Sequence, residues 1–260
     1  MRARKRFGQH FLHDPVAIER IVAAIAPRPG EVLVEIGPGQ GALTGALLAA
    51  AGALDVIEID RDLVAALRLQ YAAQPALRVL EGDALEFDYG ALARERGQKL
   101  RLIGNLPYSI STPLLFHLLE ASAHIIDMHF MLQKEVVDRI VAAPGSRQYG
   151  RLGVMLAPRV EAHKLLDVGP GAFRPAPQVH SAVVRMVIKD APPAWAAEPW
   201  FSTVVTAAFG QRRKTLRNAL ARQLDAAQIS AAGVDPGARA ETLAPEQFGA
   251  LALAAAAVIH

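Results

Sequence analysis

Three glycines at alternate positions follow an apolar run near the start of the chain. Gly37, Gly39 and Gly41 close the segment 32–41, and helical spacing begins just after it. Because glycine has no side chain, glycines in a turn between a strand and a helix let the backbone approach a ligand closely. The turn therefore predicts a nucleotide-like ligand, although glycine turns of this kind do not by themselves select which one.

Two acidic residues follow the next two apolar runs. Glu58 comes 21 residues after Gly37, where it can accept hydrogen bonds from two ribose hydroxyls, and Asp83 can accept one from an adenine amino group. The dinucleotide fingerprint places its third glycine three residues after the second, whereas Gly41 follows Gly39 by two. Together, the glycine turn, Glu58 and Asp83 favour S-adenosylmethionine over a nicotinamide dinucleotide as the ligand. A nicotinamide oxidoreductase is the alternative.

The tetrapeptide Asn105-Leu106-Pro107-Tyr108 follows the fourth apolar run. Methyl transfer to the amino group of adenine needs a lone pair that is normally delocalised into the ring. The Asn105 side-chain oxygen and the backbone carbonyl of Leu106 or Pro107 can accept the two amino hydrogens and orient that lone pair. Tyr108 offers a ring for stacking an extruded base, worth roughly 1–3 kcal/mol. The tetrapeptide predicts a methyl-acceptor site that needs no thiol, metal or general base.

The composition excludes several other kinds of active site. The 260 residues include no cysteine, which removes thiol nucleophiles, cysteine-ligated zinc and iron–sulfur clusters. The eight histidines show no ligand-like spacing, so we expect no metal. No apolar run reaches the roughly 20 residues of a membrane span, and the N-terminal residues lack the apolar core of a signal peptide. We expect a cytoplasmic monomer with no membrane partner.

The candidate residues follow segments that we interpret as strands of one sheet. Val, Ile and Leu dominate these segments, as in parallel sheets that helices cover on both faces. The predicted strands are 31–37, 54–60, 77–83, 99–105, 125–132, 161–168 and 182–189, and the predicted helices between the earlier ones include 15–26, 43–51, 61–73 and 113–121. Pro- and Gly-rich loops join the later strands, so we expect a mostly parallel α/β sheet with one antiparallel strand.

A proline pair at Pro192 and Pro193 ends this alternation, and only helical spacing follows, at 200–209, 213–224, 226–232 and 246–258. We therefore predict a Rossmann-like domain over 1–190 and a small all-helical domain over 191–260. In the segment 213–224, Leu216, Leu220 and Leu224 recur every four residues and predict one apolar stripe on a helix.

Two short basic stretches contain no acid. The first lies within residues 1–10 and the second within 211–222, and together they carry nine positive charges, so the rest of the chain has a net charge of −6 against the overall +3. A mildly acidic body with two basic stretches favours a polyanionic partner. Their basic residues are Arg2, Arg4, Lys5, Arg6, Arg212, Arg213, Lys214, Arg217 and Arg222.

Taken together, the motifs resemble those of the ribosomal RNA adenine N6,N6-dimethyltransferases, most closely the bacterial branch that acts on 16S RNA. The resemblance covers essentially the whole chain, and its first and last motifs are specific to this family. The matching segments are 6–12 (RFGQHFL), 35–41 (EIGPGQG), 58–60 (EID), 82–84 (GDA), 105–108 (NLPY), 173–177 (FRPAP) and 209–214 (FGQRRK).

The resemblance implies a class I S-adenosylmethionine-dependent methyltransferase fold, with S-adenosylhomocysteine as product. It implies 16S rRNA in the small ribosomal subunit as partner, dimethylation of two adjacent adenosines near the 3′ end, and a role in subunit biogenesis. The implied donor-site residues are His10, Leu12, Gly37, Glu58, Asp83 and Asn105, and the glycine turn adds Gly39 and Gly41 as predicted contacts. The implied adenine-site residues are Asn105, Leu106, Pro107, Tyr108 and Phe173, which closes the other face of the base. The implied RNA contacts are Arg212, Arg213 and Lys214, and the two basic stretches add Arg4, Lys5, Arg6, Arg217 and Arg222 as predicted contacts.

Three positions depart from the family pattern. His10 stands where Asn is common, so a backbone contact would survive there and a side-chain amide contact would not. Gln178 and His180 stand where Lys and Asp are frequent, so the resemblance does not extend to one basic RNA contact and one local salt bridge. Two further alternatives remain at this point: a 23S-directed adenine methyltransferase, and a non-catalytic RNA-binding assembly factor.

Overall fold

The computed structural model describes residues 10–107, 109–211 and 213–259. The strands within these residues are β1 (Phe11–Leu12), β2 (Val32–Ile36), β3 (Leu54–Glu58), β4 (Leu77–Glu81), β5 (Leu100–Asn105), β6 (Ile125–Gln133), β7 (Val160–Val168), β8 (Phe173–Arg174) and β9 (Ser181–Ile188). All seven predicted strands are confirmed, and β1 and β8 are too short to show any period in the sequence.

The helices of the described residues alternate with the strands and then continue alone. They are α1 (Pro15–Ile25), α2 (Thr44–Ala51), α3 (Arg61–Gln70), α4 (Tyr89–Arg96), α5 (Ser111–Glu120), α6 (Lys134–Ile140), α7 (Arg151–Leu156), α8 (Trp200–Gly210), α9 (Leu216–Ala219), α10 (Ala226–Ala231) and α11 (Pro245–Ile259). Short 3-10 turns lie at Ser122–His124, Pro170–Ala172, Ala194–Ala197 and Ala240–Thr242.

Seven strands form one sheet in the order β4-β3-β2-β5-β6-β9-β7, and β1 pairs with β8 in a separate ribbon. The pairs from β4 through β6 are parallel, while β9 is antiparallel to β6. The predicted mostly parallel sheet with one antiparallel strand is therefore confirmed. The strand order reverses direction at β2, which is the kind of switch point where open α/β sheets bind ligands beyond the carboxyl ends of their strands.

Helix α1 shows why these segments fold as they do. Asp14 caps it by accepting the backbone N–H of Val16 at 2.9 Å, and Pro15 occupies the first helical turn, where its missing N–H costs nothing. Ala17, Ile21 and Ile25 repeat every four residues and are buried in the core that α1 and α2 share with the sheet. The apolar stripe thus packs this helix on the sheet.

The chain divides into two compact units, which differ from the predicted domains in one segment. One unit contains the described residues up to Val137 together with His163–Ile188; the other contains Asp138–Ala162 and the described residues from Lys189 onward. Residues 138–162 lie before the predicted boundary at 190, yet they pack with the C-terminal helices. Tyr149 is buried in the helical core, and its hydroxyl donates to the carbonyl of Leu243 at 2.8 Å.

The helix predicted over 213–224 is wrong in extent, because only Leu216–Ala219 is α-helical. Contacts distant in sequence hold its start: the Leu216 N–H donates to the Ala238 carbonyl at 2.9 Å, and the chain turns after Ala219. The predicted apolar stripe is nevertheless confirmed as buried, since Leu216, Leu220 and Leu224 are all in the core of the second unit.

Buried charges join the middle strands of the sheet. The Arg101 guanidinium donates from Nε to Asp127 Oδ1 at 2.9 Å, from Nη1 to Glu31 Oε2 at 2.6 Å and from Nη2 to the Ile25 carbonyl at 2.9 Å. Arg185 Nη2 also donates to Asp127 at 3.0 Å. Burial alone would raise the pKa of Asp127, but these bonds and charges outweigh it and lower that pKa.

We expect Asp127→Asn to lower the free energy of unfolding by about 3 kcal/mol, because it leaves a buried guanidinium short of its counter-charge. Urea denaturation at pH 7 measures this loss. The folded-state pKa of Asp127 is lowered, so its contribution is present above about pH 4 and is lost as the pH falls through the folded value. The difference in the free energy of unfolding between wild type and Asp127→Asn should therefore narrow below about pH 4.

The matched control is Asp167→Asn, which removes an exposed carboxylate that pairs with Lys164 at 3.2 Å. An exposed pair of this kind contributes about 1 kcal/mol or less. Equal losses in the two variants would contradict the stabilising role given to Asp127.

Candidate active site

A cavity of about 320 Å³ lies at the carboxyl ends of the central parallel strands, within the first unit. It lies where the ends of β2, β3, β4 and β5 meet at one edge of the sheet. The sequence-predicted residues that line it are His10, Leu12, Gly37, Gly39, Glu58, Asp83, Asn105, Leu106, Pro107 and Phe173. Ten predicted residues from six segments of the chain thus converge on one space.

The glycine turn after β2 serves two purposes. Gly39 has φ +59°, and a Cβ there would lie 3.2 Å from the ring of Phe11, so the turn packs closely under β1. Gly41 has φ +80°, and a Cβ there would lie 3.2 Å from Leu67 on α3. Gly41 is not among the cavity-lining residues. The structure therefore gives this glycine a packing role against α3, where the sequence predicted a ligand contact.

The Glu58 carboxylate is buried at the end of β3, where it is 6% exposed. Its Oε2 accepts the Gly39 N–H at 3.2 Å, and its Oε1 accepts the Asp60 N–H at 2.9 Å. Burial raises the pKa of Glu58, and these backbone hydrogen bonds oppose the rise. The carboxylate thus ties the glycine turn to β3 and presents its remaining lone pairs to the cavity.

Asp83 occupies the turn after β4 and is held by the backbone around it. Its Oδ1 accepts the Leu85 N–H at 2.9 Å, and the buried Tyr89 hydroxyl donates to the Ala84 carbonyl at 3.0 Å. Next to this turn, Ile59 lines the same cavity although half of its surface is exposed. A polar acceptor beside an exposed aliphatic face suits a planar heterocycle.

Asn105 has its amide orientation decided by one hydrogen bond. Its Nδ2 donates to the backbone carbonyl of His10 at 3.2 Å, and a carbonyl can only accept, so Oδ1 is on the other side. Among the described residues, none donates to that Oδ1. The Leu106 N–H donates to the Met131 carbonyl at 3.2 Å, and the Pro107 carbonyl accepts the Ile110 N–H at 3.2 Å. Among the described residues, none donates to the Leu106 carbonyl either, so both acceptors belong to residues that line the cavity and have no donor in that part of the chain.

The ribbon of β1 and β8 brings distant segments to the site. Leu12 pairs with Phe173, which is buried and lines the cavity. His10 Nδ1 lies 2.7 Å from the Pro175 carbonyl, and since a carbonyl only accepts, Nδ1 carries the proton. The contact of His10 with Asn105 uses the backbone, so the departure from Asn at this position leaves that contact intact.

Glu35 lines the cavity but was not assigned from the sequence. It is 2% exposed, and the Thr44 hydroxyl donates to its Oε2 at 2.6 Å. Burial raises the pKa of Glu35 to about 7, with Thr44 lowering it and the charge of Glu58 adding to the rise. The available signal was an acidic residue inside the apolar run 32–36, where a strand buried on both faces has no other use for one.

Several predicted residues lie outside the described part of the chain. These are Arg4, Lys5, Arg6, Tyr108 and Arg212. The predicted RNA-contacting residues within it, Arg213, Lys214, Arg217 and Arg222, are all exposed in the second unit. Within the described ranges, no cluster of His, Asp or Glu is arranged to hold a metal ion, and none of the helices there has the length and apolarity of a membrane span.

Comparison with known proteins gives the family. The model of the ribosomal RNA adenine dimethylase family matches residues 1–256. The chain belongs to this family. It is 57% identical over 240 residues to the ribosomal RNA small subunit methyltransferase A of Methylococcus capsulatus, covering 92% of this chain and 93% of the relative. It is 53% identical over 248 residues to the protein of that name from Pseudomonas aeruginosa, covering 95% and 90%.

Solved structures support the same fold for this ribosomal RNA adenine dimethylase. The 23S rRNA methyltransferase ErmE superposes with a TM-score of 0.73 at 26% identity, covering 94% of this chain and 98% of that one. A dimethyladenosine transferase from Plasmodium falciparum superposes with a TM-score of 0.79 at 24% identity, covering 93% and 96%. The predicted family, the Rossmann-like methyltransferase fold and the class of enzyme, an rRNA adenine dimethyltransferase, are confirmed.

The strand end that carries Asn105 depends on a glycine before it. A Cβ on Gly104 would lie 2.7 Å from the Ile36 carbonyl oxygen and 2.9 Å from Leu106 Cδ2. The backbone oxygen cannot move without disturbing the pairing of β2 with β5. We expect Gly104→Ala to lower the free energy of unfolding by about 2 kcal/mol, measured by urea denaturation.

Gly169→Ala is the control, because φ there is −73° and a Cβ would meet nothing within 4 Å. We expect it to change the free energy of unfolding by no more than about 0.5 kcal/mol. A loss in Gly104→Ala as small as the control's would mean that the two strands do not approach as closely as described.

Proposed function

We propose that this dimethylase transfers methyl groups from S-adenosylmethionine to N6 of two adjacent adenosines near the 3′ end of 16S rRNA in the small ribosomal subunit. S-adenosylhomocysteine is the second product, and the modification serves subunit biogenesis. The observation that carries the proposal is the Asn105 amide, whose Nδ2 donates to the His10 carbonyl and whose Oδ1 receives no donor from the described residues, in a side chain that lines the cavity.

The residues at the strand ends suit S-adenosylmethionine in type and position. Glu58 has acceptor capacity for ribose hydroxyls, Asp83 for an adenine amino group, and Ile59 offers an aliphatic surface for the base. The glycine turn at Gly37 and Gly39 leaves room for the amino-acid portion, since a Cβ on Gly37 would meet nothing within 4 Å. When bound, this donor supplies an electrophilic methyl group on a sulfonium sulfur.

The acceptor adenine requires its lone pair to be freed from the ring. We assign the two N6 hydrogens to Asn105 Oδ1 and the Leu106 carbonyl, because the Pro107 carbonyl already accepts from Ile110. With both hydrogens held in the first transfer, the N6 lone pair would be directed at the methyl carbon that the donor supplies, and the electrons of the carbon–sulfur bond would stay with the thioether product. N6 then loses a proton to water, so no general base is needed. Phe173 would close on one face of the base.

The relatives support 16S rRNA as the substrate. Curated relatives at 53% and 57% identity carry the name small subunit methyltransferase A, whereas the 23S enzyme of known structure is 26% identical. The exposed residues Arg213, Lys214 and Arg217 supply positive charge for RNA phosphates. A purely non-catalytic assembly factor would have no use for the buried acids and the oriented Asn105 amide.

We expect Asn105→Ala to reduce methyl transfer at least about 100-fold, because a misplaced nucleophile loses its attack geometry. Subunit binding should stay within about twofold of wild type. The measurement is transfer of labelled methyl from S-adenosylmethionine to unmodified small subunits, with binding followed separately by filtration.

Gln98→Ala removes an exposed amide and serves as the control, with transfer expected to remain at the wild-type rate. Mass mapping of the product RNA locates the methylated adenosines. Failure of the wild type to modify small subunits, or modification of 23S rRNA instead, would refute the proposed substrate.

We expect the double variant Lys214→Ala, Arg217→Ala to weaken the salt dependence of subunit binding. Each lost phosphate contact reduces the slope of log affinity against log salt by about 0.7, so the slope should fall by about 1.4. Binding is measured between 50 and 300 mM KCl. The double control Arg20→Ala, Lys99→Ala removes two exposed charges of the first unit. An equal fall in the salt slope for this control would mean that Lys214 and Arg217 do not contact RNA phosphates specifically.

A further inference from the structure

The turn after β4, residues 82–88, lies at the edge of the sheet. Among the described strands β4 pairs only with β3, and at this end the Gly82 N–H donates to the Glu58 carbonyl at 3.0 Å. Four consecutive residues of the turn, 82–85, line the cavity. Because a neighbouring strand supports this turn on one side only, its geometry depends on contacts from other elements.

A buried tyrosine hydroxyl supports the turn from α4. Tyr89 is the first residue of that helix and is 1% exposed, and its hydroxyl donates to the Ala84 carbonyl at 3.0 Å. Asp83 Oδ1 accepts the Leu85 N–H at 2.9 Å. The Ala84 carbonyl and the Leu85 N–H belong to the same peptide group, so Tyr89 and Asp83 bind the two polar ends of one rigid unit.

This peptide group joins the Tyr89 hydroxyl to the Asp83 carboxylate. A peptide group is planar, so a hydrogen bond that fixes the direction of its carbonyl also fixes the direction of its N–H. Hydrogen bonds in such a chain also polarise one another. The Tyr89 hydroxyl therefore orients the carboxylate of Asp83 through the peptide group, and among the described residues none donates to the remaining Oδ2.

A histidine of α5 supports the same turn at its other end. His117 Nε2 lies 3.1 Å from the Phe87 carbonyl, and since a carbonyl only accepts, Nε2 carries the proton. The rings of Phe87 and His117 pack against the Tyr89 ring, with centroid distances of 5.2 and 5.8 Å. His117 thus helps to hold Tyr89 in place, from the helix that begins just after the acceptor tetrapeptide 105–108.

We propose that Tyr89 and His117 are positioning residues that orient Asp83 toward the adenine amino group of the donor and so determine the preference for adenine in that ligand. This inference rests on the proposed function, which assigns Asp83 to that amino group. Neither Tyr89 nor His117 lines the cavity, so both act through the turn. Their effect is confined to ligands that carry the amino group, whereas a general loss of structure weakens every ligand.

Two ligands test this role without an activity assay. One is S-adenosylhomocysteine, and the other is the same molecule with purine in place of adenine, which lacks only the amino group. Titration calorimetry on the full chain gives both dissociation constants, and their ratio measures the preference for the amino group. A hydrogen bond to a charged acceptor predicts that the wild type binds S-adenosylhomocysteine at least about tenfold more tightly.

Variants of the two positioning residues change this ratio. Tyr89→Phe keeps the ring and removes the hydroxyl, and we expect it to lower the preference about fivefold while binding of the purine ligand stays within about twofold of wild type. His117→Leu removes the N–H that the Phe87 carbonyl accepts and should lower the preference about threefold. His117→Gln can donate to the same carbonyl and should restore the preference.

Tyr149→Phe is the matched control. It removes another buried hydroxyl that donates to a backbone carbonyl, that of Leu243 at 2.8 Å, in the second unit. We expect it to lower the free energy of unfolding about as much as Tyr89→Phe does, measured by urea denaturation, and to leave the preference for the amino group unchanged.

Two failures can be told apart. If the wild type does not bind S-adenosylhomocysteine, the proposed donor is wrong, and Asp83 has no donor adenine to bind. If it binds both ligands equally, or if Tyr89→Phe and His117→Leu leave the ratio of the two dissociation constants unchanged, then the donor stands and Tyr89 and His117 do not determine a preference for adenine. The comparison of His117→Leu with His117→Gln decides the point even if Tyr89→Phe does not fold.

Discussion

The parallel pairing of β2, β3, β4 and β5 is the constraint on which the site depends. Parallel strands in register bring their carboxyl ends to one edge, so Gly37, Glu58, Asp83 and Asn105 meet although 68 residues separate the first from the last. The reversal of strand order at β2 opens the space between neighbouring turns, because the connections leave on opposite sides. The ligand contacts that we assign to Gly37, Glu58, Asp83 and Asn105 all begin from this edge.

Two buried acids line the cavity at that edge of the sheet. Glu35 and Glu58 are both nearly inaccessible, and burial raises the pKa of each. Hydrogen bonds offset part of the penalty: Glu58 accepts two backbone N–H groups, and Glu35 accepts the Thr44 hydroxyl. Elsewhere in the sheet the buried Asp127 is paired with Arg101 and Arg185, whereas no lysine or arginine is among the described residues that line the cavity.

Much of the fold was predictable because its elements are long and locally consistent. Seven strands and the early helices follow from apolar runs and helical spacing, and Asp14 and Pro15 show the expected helix start. The elements that the sequence analysis missed or gave the wrong length are short, or their ends depend on residues distant in the sequence. The two-residue strands β1 and β8 have no period of their own, and α9 is limited by a hydrogen bond from the Leu216 N–H to the Ala238 carbonyl.

For the site, residue type and spacing were sufficient to single out the glycine turn, Glu58, Asp83 and the acceptor tetrapeptide, because these motifs are local, and the resemblance of the motifs to those of a known family predicted the family. Tertiary structure alone shows that the His10 carbonyl orients the Asn105 amide across 95 residues, that Gly41 packs on α3, and that residues 138–162 pack with the C-terminal helices. It also shows Glu35 at the cavity. These facts depend on which distant groups the fold brings into contact and which side chains it buries. Local sequence patterns show neither.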